Sequence, residues 1–132
     1  MRFGSVLAAG YVGGGREDDL AIGIPGYLSS TGSVAIKLGG EDFTVETQLV
    51  YDQFVPGEEG EPGDEWGAAL AIGDVGRSGR DDLAIGVPGE DIGTTVDGGK
   101  AAVLYGARAG PDQPSAVVLD ESDLGADIRA VA

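Results

Sequence analysis

The chain repeats itself at an interval of 63 residues. Phe3-Gly4-Ser5-Val6-Leu7-Ala8-Ala9-Gly10 returns as Trp66-Gly67-Ala68-Ala69-Leu70-Ala71-Ile72-Gly73, and Asp18-Asp19-Leu20-Ala21-Ile22-Gly23-Ile24-Pro25-Gly26 returns as Asp81-Asp82-Leu83-Ala84-Ile85-Gly86-Val87-Pro88-Gly89. Residues 3–26 align on 66–89 without a gap, and 14 of the 24 positions are identical. A duplication of that period restricts the fold to units of about 60 residues that bury their apolar faces on one another.

Within each copy the apolar residues come in short runs that end in Gly or Pro, the pattern of strands between tight turns. The three- and four-residue apolar spacing of helices is missing. The runs predict strands at residues 3–10, 20–25, 33–38 and 47–52, and again at 66–73, 83–88, 100–105 and 115–120. The third strands are offset by 67 rather than 63, which places four extra residues in the loop 90–98. Four short antiparallel strands repeated in tandem make an all-β protein of propeller blades. The first repeat is residues 1–65 and the second 66–132.

These residues resemble the FG-GAP repeats of integrin α-subunit β-propellers and their bacterial relatives. The family pattern is Phe-Gly-x-x-Leu-Ala-x-Gly, an Asp/Gly loop, then Asp-Leu-x-Ile-Gly-x-Pro. It is met by residues 3–10 and 19–25 and again by 66–73 and 82–88, with Trp66 in the Phe place. The resemblance implies two four-stranded antiparallel blades, an adhesion or binding role, and an extracellular or cell-surface setting. No signal peptide precedes the first repeat in this sequence.

Propellers close with about four to eight blades, and two leave open edges. The next aromatic-Gly start falls near position 134, just past Ala132. The chain is therefore expected to be a fragment of a longer array or to complete its ring as a homo-oligomer, of three chains for six blades or four for eight. A rival phasing starts a third repeat at Leu124-Gly125-Ala126-Asp127-Ile128, and residues 123–132 also suit a short helix.

Composition narrows the chemistry. There is no Cys and no His, which removes disulfides, thiolate metal sites and the commonest general base and nucleophile activator, so no enzymatic activity is expected. A net charge of −15 disfavours nucleic acid and favours cations or basic surfaces. No apolar run is long enough to span a membrane.

The family often carries a calcium site in the loop between its first two strands, because a hard cation takes six to eight oxygens from a tight acidic turn. In the second repeat that pattern assigns Asp74, Ser78, the carbonyl of Arg80 and Asp82 as ligands, while Gly76 supplies no side-chain oxygen and Arg77 and Arg80 add positive charge. Weak calcium binding or none is expected there. In the first repeat only Asp19 survives. Both Asp19 and Asp82 also suit a structural role, accepting hydrogen bonds from loop N–H groups.

The acidic run Glu58-Glu59-Gly60-Glu61-Pro62-Gly63-Asp64-Glu65 reads as a solvated linker rather than a carboxylate pair for glycoside hydrolysis. Gly13-Gly14-Gly15 reads as a turn, since no helix and no Lys follow to cradle phosphate. Phe3 and Trp66 are expected to pack between neighbouring blades, while Tyr11 stands where the family prefers Asp and is a freer candidate for ligand contact. Tyr27, Tyr51 and Phe54 have no assigned role. The leading expectation is a non-enzymatic interaction module whose loops 26–32, 55–65 and 90–98 present a surface for protein or carbohydrate. A structural scaffold assembled across chains is the alternative, and a carboxylate glycosidase a third.

Overall fold

A computed structural model of the chain describes residues 2–40, 48–55, 58–76, 79–91 and 98–124. Two four-stranded antiparallel sheets carry the fold, each a meander in chain order. The first holds β1 (Val6–Gly10), β2 (Asp19–Ile24), β3 (Ser33–Lys37) and β4 (Gln48–Asp52). A two-residue ribbon, β5 (Phe54–Val55) with β6 (Glu58–Glu59), leads into the second sheet of β7 (Ala69–Gly73), β8 (Asp82–Val87), β9 (Lys100–Tyr105) and β10 (Asp112–Leu119). The repeat is also a repeat of register. Ala8 pairs with Ala21 and Ala71 with Ala84, while Val34 pairs with Tyr51 and Ala101 with Leu119. The all-β expectation holds, and the two sheets have the form of two propeller blades.

The first strands begin three residues later than the pattern predicts. Ser5 N–H donates to the Arg2 carbonyl and Ala68 N–H to that of Glu65, with Gly4 at φ 82° and Gly67 at φ 89°. A positive φ at the third position of a four-residue turn belongs to type II, which calls for glycine there. The aromatic-Gly pair is therefore a turn that delivers the chain into its inner strand. At the other end, a 3₁₀ turn over Glu121–Leu124 follows β10; most of the predicted helix 123–132 and of the rival third repeat lies outside the described residues.

The core is the seam between the blades. Val12, Ala21, Val34 and Ile36 of the first meet Leu83, Ile85, Val87, Ala102 and Leu104 of the second in one buried cluster with Trp66. Strand alternation explains the choice: each of these strands sends every second side chain to the same face. Trp66, 1% exposed, is the largest side chain there. Its indole N–H donates to the Tyr51 carbonyl at 3.0 Å, its backbone N–H donates to Thr31 at 2.9 Å, and it bridges Gly32 in parallel. Phe3, its counterpart, is 60% exposed. The expected packing role is thus met by Trp66, whereas among the described residues no second blade lies over Phe3.

Candidate functional site

Two ends of the blade pair carry loops, and they differ in what their polar groups do. At one end lie the loops after β1 and β7, where the metal-ligand pattern falls. Asp19 is buried, and its Oδ2 accepts from Val12 N–H and Gly13 N–H, both at 2.9 Å, while Oδ1 accepts from Gly39 N–H at 2.8 Å. Asp82 does the same in the second blade: Oδ2 accepts from Val75 N–H at 2.9 Å and Gly76 N–H at 2.6 Å, and Oδ1 from Gly106 N–H at 2.9 Å. Each carboxylate ties the loop after a first strand to the end of a third. In each blade three backbone amide dipoles converge on the one carboxylate.

Of the other residues assigned to calcium, Asp74 is exposed, Ser78 lies outside the described residues, and the guanidinium of Arg80 sits 5.4 Å from the ring of Tyr11. Among the described residues no group of three or more acidic side chains gathers to hold a metal. The described donors do not fit a calcium cage, because Asp82 faces backbone N–H groups and Gly76 brings no side-chain oxygen. Tyr11 is drawn into the seam between blades, where its N–H donates to Asp81 Oδ2 at 3.0 Å and its carbonyl accepts from Asp81 N–H at 2.7 Å.

The opposite end gathers the described parts of all three conspicuous loops. Between β2 and β3, the single turn at Tyr27–Ser30 is left-handed, with Leu28, Ser29 and Ser30 at φ 47°, 54° and 64°. Such a conformation costs about 1–2 kcal/mol for each non-glycine residue, so the surroundings must hold it. They do so through the inter-blade connection: Gly63 N–H donates to Ser29, Glu65 N–H to Ser30 and Trp66 N–H to Thr31. Leu28 is left 65% exposed at the tip. Gly89 N–H then donates to the Asp64 carbonyl, which fastens the β8–β9 loop to the same platform.

Beneath this platform lies a polar cluster that long-range folding alone assembles. Buried Gln53 donates through Nε2 to Glu90 Oε2 at 2.8 Å, and Lys100 Nζ stands 3.8 Å from Glu90 Oε1. Asp64, buried rather than solvated as its acidic run suggests, accepts from Glu61 N–H at 2.7 Å. Burial first, and then the neighbouring Asp64, push the Glu90 carboxyl above the usual range, against the opposing pull of Gln53 and Lys100. Tyr51, unassigned in the sequence, donates its hydroxyl to the Pro111 carbonyl at 2.8 Å across the seam; burial, with Asp112 nearby, raises it to about 12. Local sequence held no signal for Gln53 or Tyr51, because their partners lie 37 and 60 residues away.

No family model matches the chain. It is similar to phosphatidylinositol-glycan-specific phospholipase D of Rattus norvegicus, with 31% identity over 115 residues. It is also 28% identical over 119 residues to the protein of that name from Mus musculus. Each alignment takes in 83% of this chain and 14% of the relative, so the chain spans about one seventh of the curated relatives it matches. These names overturn the expectation of no enzymatic activity, since sequence like this one lies within proteins named as a phospholipase. Missing residue types were the wrong guide: a chain matching so small a share of an enzyme says little, by lacking His and Cys, about the activity of the whole.

Proposed function

We propose that the chain forms two adjoining blades of an FG-GAP-type propeller belonging to a phosphatidylinositol-glycan-cleaving enzyme, and that its platform end binds the glycan or a protein bearing it. The observation that carries this reading is the convergence of the described parts of loops 26–32, 55–65 and 90–98 on one hydrogen-bonded end, where a strained turn displays Leu28 and the joined loops hold buried Asp64 and half-buried Glu90. Strain held in place by surrounding bonds is characteristic of recognition surfaces. An apolar tip beside acceptor-rich groups suits a sugar, whose apolar C–H faces stack and whose hydroxyls donate.

The test is titration with a deacylated phosphatidylinositol-glycan headgroup, followed by backbone amide NMR. Shifts gathered on residues 27–31, 60–65, 89–91 and 98–100, weakened by Leu28→Asp, are the expected outcome. Shifts confined to the loops after β1 and β7, or none at millimolar headgroup, would overturn the reading.

A further inference from the structure

Among the described residues three aspartates are buried, and they are held differently. Asp19 and Asp82 each take three backbone N–H groups, whereas Asp64, 3% exposed, takes one, from Glu61 at 2.7 Å. The side-chain donors nearby are directed at its neighbour instead. Gln53 gives Nε2 to Glu90 Oε2, and the Lys100 ammonium stands 3.8 Å from Glu90 Oε1, beyond hydrogen-bond length. Gln53 is itself buried, and its Oε1 has no hydrogen-bond partner. The pocket therefore holds two carboxyl groups and an orphaned amide oxygen, and it is short of donors. A buried acceptor left without a donor is costly, so a missing proton is the simplest thing such a pocket calls for.

Asp64 and Glu90 sit on the two segments that meet in the platform. Gly89 N–H donates to the Asp64 carbonyl at 3.0 Å, and a Cβ on Gly89 would strike the Gly63 carbonyl, so the segments touch through their backbones. A side-chain hydrogen bond joins the two carboxyl groups, and that bond needs a proton on one of them. Two carboxylates so close repel when both are ionised. Burial, and then Asp64, favour the proton on Glu90.

We propose that Asp64 and Glu90 share one proton, and that this proton latches the strained turn at Leu28. The mechanical link is short. Asp64 lies inside the stretch whose N–H groups at Gly63, Glu65 and Trp66 hold the carbonyls of Ser29, Ser30 and Thr31. Leu28, Ser29 and Ser30 keep a left-handed conformation that needs such support. With the proton in place, the β8–β9 loop and the inter-blade connection are tied together and the turn is held. As pH rises and Glu90 ionises, the proton passes to solvent and two carboxylates face each other. Lys100 offsets one of them, the other repels, and the connection loosens its hold on the turn. Among the described residues, the groups facing the Glu90 carboxyl are Asp64 on the connection, Lys100 on β9 and the Gln53 amide after β4. The latch belongs to the blades and stands whether or not the platform binds a glycan.

Amide hydrogen exchange of the 132-residue protein, read by NMR from about pH 4 to 8 and corrected for the intrinsic pH dependence of exchange, tests it. Protection at Gly63, Glu65, Trp66 and Gly89 is expected to fall together by roughly ten-fold as pH rises, the effect of losing one hydrogen bond. Gly76 and Gly106, whose N–H groups rest on Asp82 at the other end, should keep theirs. Glu90→Gln sets an N–H donor against Asp64 at every pH, so protection should stay high and lose its pH dependence. Lys100→Met removes the charge that steadies ionised Glu90 and should move the transition to higher pH. Level protection in the wild type across this range overturns the proposal, as does wild-type pH dependence in Glu90→Gln. Protection that follows added calcium at fixed pH, and not pH itself, would give the pocket to a cation and overturn it too.

Discussion

The first blade and the second have the same strands, the same register and the same buried aspartate, yet their faces have different fates. Ala21, Gly23 and Ile36 are buried, while Ala84, Gly86 and Val103 at the matching positions are only half-buried. Burial in a repeat array is conferred by the neighbour and not by the residue. The blade pair separates the two influences at these three places, each covered in the first blade and only half-covered in the second.

The largest contrast is expected at the aromatic turn. Trp66→Ala should cost about 3–5 kcal/mol in urea unfolding, since it empties the middle of the core. Phe3→Ala at the matching place, measured where the protein is monomeric, should change stability by about 0.5 kcal/mol or less. Equal losses would mean that Phe3 is buried in solution.

Next come the aspartates, where the two blades should agree. Asp19→Ala and Asp82→Ala each strand three loop N–H groups, and each should destabilise by about 2–4 kcal/mol. A large cost at one and a negligible cost at the other, by the same unfolding measurement, would break the equivalence.

A subtler pair is Gly10 and Gly73. A Cβ on Gly10 would lie 2.2 Å from Ile72 Cγ2, whereas one on Gly73 meets nothing within 4 Å. Gly10→Ala should therefore cost about 1–3 kcal/mol through overpacking of the seam. Gly73→Ala should be near neutral by thermal melting.

The smallest effects belong to charge. Glu90 favours its protonated form in the fold, so its contribution is fully present below the unfolded value near 4.5 and is lost as pH rises through the raised folded value. Glu90→Gln should accordingly flatten the decline in stability above that pH, as followed by melting across pH 4 to 8. Calcium at about 1 mM should shift the melting midpoint by about 1 °C or less, because the Asp82 oxygens are already engaged.

What the sequence revealed and what it hid divide along contact range. Strands and many turns follow from periodicity and from Gly and Pro, which act over a few residues, and the eight strands of the two sheets overlap the runs those signals mark. The Phe-Gly and Trp-Gly pairs were assigned to strands because their neighbours are apolar; only the φ of Gly4 and Gly67 shows a turn. The left-handed run at Leu28, Ser29 and Ser30 carries no glycine to announce it, being imposed by bonds from residues 63–66. The cluster of Gln53, Asp64, Glu90 and Lys100 depends on how the connection folds back between blades, which no local pattern encodes. For Asp82 the sequence left metal ligand and acceptor of loop N–H groups both open, and for Asp19 it favoured the acceptor role; in the structure both carboxylates accept from the backbone.

The central claim is that the two meanders lie face to face as neighbouring blades, and the absence of Cys from the chain gives it a clean test. A Cβ built on Gly10 lies 3.0 Å from Ile72 Cβ across the seam, nearer than the roughly 3.5–4.5 Å a disulfide spans, so a slight parting of the two strands brings the pair into range. In the double variant Gly10→Cys, Ile72→Cys, mild oxidation should consume both thiols within one chain and leave its sedimentation unchanged. Thiols that stay free, or that link only different molecules, would contradict the packing of the blades.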